Sequence, residues 1–450
     1  MEDIIFEPDT TRVMIVSLMG IGLLLLLIIK CKVNPILSLL VASLFIGIGS
    51  GMPVSLMMHT VETGIGQTLQ GIILLIGLGS MFGGILEVSG GARCVAQTLI
   101  TRFGEKKAGM ALGVTGLIVG TTVFFEAGVM ILMPLAFGLS EKTKKSTLSY
   151  AIPLLAGLAS GFAFIPPSAG SVLVANLLGV DLGMMILVGV PTGILALLVG
   201  GVLFGKVIGD KMMVESPAEL LEEGETHKLP SFATVAFVVG IPITLILMST
   251  LSSYVVLPSV IEEVVSFLGT PFVALLVAIF VAAYLLGTRQ GYTTDEIKGI
   301  IEGALKPTAG ILLVITGGGI ISEVLQVCGV GHQVSNVMEQ SGLPLIIVAF
   351  LIAGLIRICI GAAVVSMTMT AGIMMAIPAV ASLPPLYLAA MVLAINGGAS
   401  AFSHVNDSGF WLASSLLNID EKKTLLSWTV METIIGLVGL GCGLVIASFA

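Results

Sequence analysis

The sequence has 450 residues, of which 56% are hydrophobic and only 10% are charged, and its formal net charge is −8. Its mean hydropathy of +1.13 means more apolar sequence than a soluble core of this length can bury, so a water-soluble globular protein is excluded. No basic patch indicates nucleic acid binding. The five scattered cysteines include no C-x-x-C pair, so neither a disulfide framework nor a zinc site is predicted.

The apolar segments predict an all-α polytopic membrane protein with about 11–14 membrane segments. The acidic start lacks the basic region and cleavage site of a signal peptide, so the first segment is expected to be retained as a span. Several segments are short or interrupted by glycine, which indicates broken or re-entrant helices. The predicted segments are 13–29, 35–50, 71–86, 109–123, 125–139, 146–163, 184–206, 232–251, 270–287, 310–325, 343–358, 362–380, 386–402 and 426–449.

An internal repeat organises these segments. Three pairs of similar blocks share one offset of 239 positions, which indicates a duplication. The blocks are "GIILLIGLG" (71–79) with "GILLVITGG" (310–318), "LEVSGG" (86–91) with "LQVCGV" (325–330), and "SAGSVLVANLLGVD" (168–181) with "DSGFWLASSLLNID" (407–420). The predicted units are N-terminal membrane helices (1–66), a first repeat with a trailing helix (67–206), a polar linker (207–231), connecting membrane helices (232–305), and a second repeat with a C-terminal helix (306–450).

The distribution of lysine and arginine predicts that the two repeats are inverted. Loop 92–108 is basic, whereas its counterpart 331–347 contains no lysine or arginine; at 421–423 and its counterpart 182–184 the bias is reversed. Because basic loops stay on the cytoplasmic side, the repeats are expected to have opposite orientations, with the N-terminus outside. Inverted repeats are typical of secondary transporters, whose substrate site lies near the midplane between the repeats.

Charged residues that only one repeat carries are candidates for function, because the scaffold does not require them. An ionisable group at the bilayer centre costs about 2.5–3.5 kcal/mol on insertion scales. Four such residues, with their repeat counterparts, are Glu126 (Val365), Arg357 (Ile118), Asp407 (Ser168) and His404 (Ile165).

Each candidate has a functional and a structural interpretation. The planar fork of Arg357 suits a carboxylate, but Arg357 could equally form a structural pair with Glu126, Glu323 or Asp407. Asp407 suits proton exchange, but it could also cap a turn. The predicted substrate-binding residues are Arg357, Ser403, His404, Asn406, Asp407, Ser168, Gly170, Gly318 and Gly319. The predicted proton-coupling residues are Glu126 and Asp407. Glu87, Glu323 and Glu432 are interpreted as interfacial carboxylates, and Trp411 and Trp428 as packing or interface anchors.

Several motifs resemble those of one family. "SHVNDSGFW" (403–411) followed by "TLLSWTVMET" (424–433) is similar to the C-terminal signature of the gluconate permease family, bacterial inner-membrane proton symporters for gluconate and related hydroxy acids. "FFEAG" (124–128) and "IRICIGAAVVSMTMTAGI" (356–373) resemble two further family segments. The resemblance implies transport of an organic acid without a cofactor, and it implies motif roles for Glu126, Arg357, His404, Asn406 and Asp407. A homodimer is left open.

Two departures from the family pattern concern substrate size. The family often has a histidine in a "PPHPG" tip, where this chain has "PPSAG" (166–170), and "GSATVA" after the arginine, where this chain has "GAAVVS" (361–366). With fewer polar groups at two candidate contacts, a smaller or less hydroxylated acid is expected, such as glycerate, a hydroxybutyrate or D-serine.

The sequence therefore predicts a proton-coupled symporter that imports a small hydroxylated carboxylate by alternating access. Sodium coupling is the nearest alternative, because unwound carbonyls with Asn406 and Asp407 suit a cation. A membrane-embedded enzyme is a remote alternative, since the sequence has no H-E-x-x-H motif or acidic metal cluster. A channel ranks low, since two inverted halves favour a transporter.

Overall fold

The structure, a computed structural model, describes residues 9–216, 229–252, 258–330, 343–405 and 407–450. These residues form helices joined by short connections. The helices are α1 (Thr10–Ile29), α2 (Pro35–Gly49), α3 (Val54–Val88), α4 (Gly91–Phe103), α5 (Ala108–Gly120), α6 (Phe125–Thr143), α7 (Leu148–Phe164), α8 (Ala169–Leu177), α9 (Leu182–Lys211), α10 (Phe232–Ser252), α11 (Ser259–Gly269), α12 (Pro271–Gln290), α13 (Thr294–Val327), α14 (Leu345–Ile360), α15 (Ala363–Met375), α16 (Pro385–Ser400), α17 (Ser408–Leu417) and α18 (Glu421–Ala447), with short helical turns at Glu105–Lys107 and Pro378–Ala381.

The predicted all-α membrane architecture is confirmed. Among the described residues, six helices are long and apolar enough to cross a membrane, or seven if the two parts of α3, bent by 42° between Gln70 and Ile73, count as one span. Every predicted segment overlaps a helix, although 362–380 extends across both α15 and the turn at Pro378–Ala381. Several of these helices have 10–17 residues, which is shorter than the roughly 20 residues of a full crossing. Among them, α14 is followed directly by α15, and α16 by α17, which is consistent with the predicted broken helices.

The helix bounds repeat with the offset found in the sequence. The ends of α3 and α13 (Val88 and Val327), the starts of α8 and α17 (Ala169 and Ser408), and the starts of α9 and α18 (Leu182 and Glu421) are all 239 positions apart. This agreement supports the duplication, because equivalent helices begin and end at equivalent positions.

The two longest repeat-related helices, α3 and α13, pack against each other in opposite directions. A Cβ on Gly64 near the start of α3 would lie 2.9 Å from Ile320 Cα near the end of α13, and Ser80 accepts a 2.8 Å hydrogen bond from Thr308. At the other end, Tyr292, just before α13, donates to the carbonyl of Val88 at 3.0 Å. Antiparallel packing of equivalent helices is consistent with inverted repeats, whose opposite orientation in the membrane stays a prediction.

Glycine permits the close packing of α5 against α7. A Cβ on Gly157 would lie 2.1 Å from the carbonyl oxygen of Gly113, and one on Gly116 would lie 2.4 Å from that of Leu154. The equivalent helices α14 and α16 meet through Gly398, where a Cβ would lie 2.3 Å from the carbonyl of Phe350. Small residues at membrane helix contacts let the two backbones approach closely, so these pairs form rigid supports for the breaks that follow α5 and α14.

The predicted domain bounds stay a prediction. Helix α9 extends to Lys211, and residues 217–228 of the predicted linker lie outside the described residues. The part of the linker that follows, at Pro230, contacts α4, because Cys94 donates a 2.9 Å hydrogen bond to the Pro230 carbonyl.

Candidate functional site

A cavity of about 330 Å³ lies where the breaks of the two repeats meet. Its wall includes three consecutive positions from each repeat, 124–126 and 363–365, which are equivalent at the offset of 239. Helix α6 begins at the first of these segments and α15 at the second. The volume is at the lower end of the range for small-molecule sites. We call this space the central cavity.

Arg357 projects from the last turn of α14 into the wall of the central cavity and is only 5% exposed. Its Nη2 donates to Asp407 Oδ2 at 2.5 Å, and its Nη1 donates to the carbonyl of Gly361, where the chain leaves the helix. The backbone of Gly361 has φ +83°, a conformation that favours glycine. The Nε of Arg357 is buried and has no hydrogen-bond partner among the described residues. The Nε–H of the guanidinium is therefore not used by a described residue.

Asp407 is held in place by three hydrogen-bond donors. Its Oδ2 accepts from Arg357 and from the hydroxyl of Ser403, and its Oδ1 accepts from the backbone N–H of Gly409 at 3.1 Å. It caps the N-terminus of α17. The structural interpretations of Asp407, as a cap and as a partner of an arginine, are therefore both observed. A functional role for the same side chain stays a prediction.

Trp428 connects the Arg357–Asp407 pair to the first repeat. Its Nε1 donates to Ser403 Oγ at 2.7 Å, and its ring packs against Phe125 at a centroid distance of 5.4 Å. Both aromatic rings belong to residues that line the central cavity. The chain Trp428–Ser403–Asp407–Arg357 therefore fixes the polar wall of the cavity through side chains of α14, α18 and the break before α17.

The N-terminus of α15 presents free backbone donors to the same space. Its cap residue, Ala362, makes no side-chain capping bond, and residues 362–365 line the central cavity. The first N–H groups of a helix have no intrahelical acceptor, and the helix dipole places partial positive charge there. This helix end therefore offers partial positive charge for an anion beside Arg357, whose own charge is balanced by Asp407.

Two further carboxyl groups line the central cavity. Glu126, in the first turn of α6, is exposed and also lines a second cavity of about 650 Å³ at the end of α3. Glu432, in α18, is 4% exposed. Neither side chain forms a hydrogen bond or ion pair with a described residue. With Arg357 already paired to Asp407, these two groups decide the net charge of the site.

The cavity at the end of α3 has a repeat-related counterpart at the opposite end of the α3–α13 pair. The first is lined by Ser80, Gly83, Gly84, Glu87 and Gly303 among others, and the second, of about 230 Å³, by their equivalents Gly319, Ser322, Glu323, Gln326 and Gly64. Basic segment 92–108 follows the end of α3, so the positive-inside rule predicts that the first cavity faces the cytoplasmic side. We call the two spaces the inner cavity and the outer cavity. Only the inner cavity shares lining residues, Phe124 and Glu126, with the central cavity among the described residues.

Other predicted site residues lie outside the wall of the central cavity. Gly318 and Gly319 line the outer cavity and pack against Thr368 and Thr68. Ser168 caps α8, donates to the Phe162 carbonyl at 2.7 Å and lines a small space beside the central cavity.

Gly170 packs where a Cβ would lie 2.8 Å from the same Phe162 carbonyl. His404 accepts a backbone bond from Asp407 through its carbonyl, and its Nδ1 is buried without a partner among the described residues. Asn406 lies outside the described residues.

Sequence reasoning gave too little weight to Glu432 and Trp428. The sequence contained two signals that point to them. Trp428 and Glu432 are four positions apart, which puts them on one helix face, and the repeat counterpart of Glu432 is the uncharged Gly193. Glu432 thus meets the criterion of a charge found in one repeat only. Its position near a predicted segment end masked this, whereas the structure buries it within α18.

Comparison with known proteins identifies the family. The family model for GntP family permeases matches residues 12–449. The chain belongs to the GntP permease family. This membership covers both repeats and all the residues of the central cavity, and it confirms the resemblance to gluconate permeases.

Curated relatives of this GntP permease are similar along their whole length. The chain is 35% identical to the L-idonate transporter of the Gnt-II system of Escherichia coli K12 over 432 residues (95% of this chain, 97% of that one). It is 35% identical to the low-affinity gluconate transporter of the same organism over 440 residues (97% and 98%), and 33% identical to its inner membrane permease YgbN over 447 residues (96% and 97%). The chain is thus a transporter of the inner membrane, and the enzyme alternative is excluded.

A solved structure has the same fold. The crystal structure of the Alcanivorax borkumensis YdaH transporter, which has an unusual topology, superposes with a TM-score of 0.67 at 14% identity, over 96% of this chain and 98% of that one. At this identity the likeness concerns the fold alone, and the chemistry of the site must come from the residues themselves.

Proposed function

We propose that this permease imports a small hydroxylated carboxylate by proton symport and alternating access. The observation that carries the proposal is the buried Arg357, whose Nε lacks a partner among the described residues and which lies beside the uncapped N-terminus of α15 on the wall of the central cavity. A substrate carboxylate would accept hydrogen bonds from Arg357 Nε and from backbone N–H groups of α15. Relatives named for gluconate and L-idonate transport support a sugar acid or hydroxy acid as substrate.

The wall beside Arg357 favours a small or sparsely hydroxylated acid. Residues 362–365, Ala-Ala-Val-Val, present only apolar side chains, and the serine hydroxyls on the cavity wall are those of Ser400 and Ser408. A site that offers few hydrogen bonds discriminates weakly in favour of additional hydroxyl groups. Glycerate, 3-hydroxybutyrate and D-serine therefore remain candidates beside gluconate.

Alternating access is supported by the two repeat-related cavities. The central cavity shares Phe124 and Glu126 with the inner cavity and, among the described residues, no lining residue with the outer one. This arrangement corresponds to a conformation that faces the cytoplasm. Exchange of roles between the two repeats would open the equivalent path to the outer cavity.

The decisive experiment is uptake into proteoliposomes under an imposed pH gradient, with labelled gluconate, glycerate, 3-hydroxybutyrate and D-serine in parallel. We expect uphill accumulation of one of these acids that a protonophore abolishes and that needs no sodium. Accumulation that follows a sodium gradient instead would establish the cation-coupled alternative. Absence of accumulation under both gradients for every acid would contradict the proposal.

Glu126 is expected to control the rate of transport rather than its driving force. Because Glu126 lies between the central and inner cavities, its carboxyl can pass the coupling proton to the cytoplasmic side. We expect Glu126→Gln to slow initial uptake on the order of 100-fold or more, as for other positioned proton-transfer groups, while the final accumulation ratio is unchanged. Initial rates and end points of the same uptake assay measure both. Unchanged initial rates would show that the proton bypasses Glu126.

A further inference from the structure

Glu432 is the most enclosed carboxyl group of the central cavity. It is 4% exposed and lies one helical turn after Trp428, with apolar residues on either side along the same helix face. Its side chain receives no hydrogen bond from a described residue. A buried carboxylate that lacks donors is costly, and a buried carboxylic acid is far less so.

Asp407, which lines the same wall, has the opposite environment. Arg357, Ser403 and the N–H of Gly409 all donate to it. Protonation of Asp407 would break the ion pair and leave Arg357 as an uncompensated buried cation, which is strongly destabilising for comparable pairs. Of the two buried carboxyl groups on this wall, Glu432 is therefore the one that can change its protonation without breaking a bond of the site.

A change in the protonation of Glu432 would compensate the negative charge that the substrate brings into the cavity. The charged groups that face the cavity with Glu432 are Arg357 from α14, Asp407 before α17 and, at the exposed rim, Glu126 from α6. The positive charge of Arg357 and the negative charge of Asp407 cancel. An empty cavity with ionised Glu432 and a loaded cavity with a carboxylate substrate and neutral Glu432 then hold the same net charge. A substrate anion beside ionised Glu432 would add a second uncompensated charge, whose repulsion is strong at low dielectric.

We propose that Glu432 holds the coupling proton while the substrate carboxylate is bound at Arg357. This proposal rests on the proton symport proposed above and names its proton site. The Glu432 carboxylate takes up one proton on loading and loses it toward the inner cavity through Glu126 after the substrate leaves. Only an O–H bond forms and breaks. Binding of the proton then favours binding of the substrate, and binding of the substrate favours binding of the proton, which couples their transport.

The test is Glu432→Gln, which has the shape of the neutral acid but cannot release a proton. We expect this variant to bind substrate and to exchange labelled for unlabelled substrate across the membrane without a gradient. Under a gradient of one pH unit, the wild type can reach about tenfold accumulation for each proton carried in electroneutral symport, whereas the variant should stop at equal concentrations. Exchange should also lose its pH dependence. In lightly buffered detergent, the wild type should take up about one proton per bound substrate and the variant none.

Glu421→Gln is the matched control, since Glu421 lies exposed in the first turn of the same helix and should behave as wild type. Accumulation by Glu432→Gln equal to the wild type would overturn the proton site and leave the proposed function intact. A wild type that shows no proton-driven accumulation would instead overturn the proposed function. If Glu432→Gln fails to fold, Glu432→Asp tests the proposal instead, because moving the titrating carboxyl group must shift the pH dependence of exchange. An unshifted pH profile would show that Glu432 is not the proton site.

Discussion

Replacement of Arg357 by glutamine is expected to abolish uptake and to destabilise the protein. The substitution removes the proposed carboxylate ligand and leaves Asp407, which is 6% exposed, without its ionic partner. Removal of one member of a buried ion pair costs about 3–5 kcal/mol. The thermal stability of the purified variant and its initial uptake rate measure the two effects separately.

A second variant separates the structural role of Arg357 from its role in the site. In Arg357→Gln/Asp407→Asn both charges are absent, so no uncompensated charge remains buried. We expect the double variant to recover most of the lost stability but no uptake, because the guanidinium that binds the substrate is still missing. Arg357→Lys keeps the charge but lacks the planar fork that reaches Gly361, Asp407 and a ligand together, and it should also be impaired. Restored uptake in the double variant would show that Arg357 only stabilises the fold.

The substitution Gly157→Ala is expected to reduce the amount of folded protein. A Cβ at Gly157 would lie 2.1 Å from the carbonyl oxygen of Gly113 and 2.7 Å from the backbone N of Leu117. Backbone atoms cannot move aside as a flexible side chain can, so α5 and α7 must separate. Overpacking of this kind costs about 1–3 kcal/mol or more. Thermal melting of the detergent-solubilised protein measures the loss.

Gly138→Ala is the control for this prediction. Gly138 lies in α6 with open space around the added Cβ, so the same change should be neutral or stabilising by about 0.5–1 kcal/mol through helix propensity. Transport by Gly157→Ala should fall along with its stability, because Ala159 and Phe162 of α7 line the central cavity. Equal melting temperatures for the two variants would contradict close packing of α5 on α7.

The repeat illustrates how much of the fold the sequence contained. The single offset of 239 positions predicted which helices correspond, and the observed bounds of α8 and α17 reproduce it. The number of complete crossings was harder to predict. Hydropathy records whether a residue avoids water, and a half-helix buried among other helices is as apolar as a full span.

Part of the candidate site was also predictable from the sequence, and part was not. Arg357 and Asp407 were singled out because an ionisable residue in an apolar segment needs a partner or a function, and the structure pairs them across 50 positions. Gly318 and Gly319 were predicted as site residues because glycine-rich stretches in an apolar segment indicate a broken helix. The structure places them within the continuous helix α13, on the outer cavity, because glycine serves close packing as readily as a break.

By itself, the sequence determined that the chain is an all-α membrane transporter with a duplicated architecture, and it placed a buried arginine and aspartate in the second repeat. These features depend on hydropathy, charge and spacing along one dimension. Only the tertiary structure decided that the Nε of Arg357 has no hydrogen-bond partner among the described residues, that Asp407 accepts from three donors, and that Glu432 lies in the wall of the central cavity. The physical reason is that hydrogen-bond satisfaction and enclosure depend on how distant helices pack, and no local pattern specifies that packing.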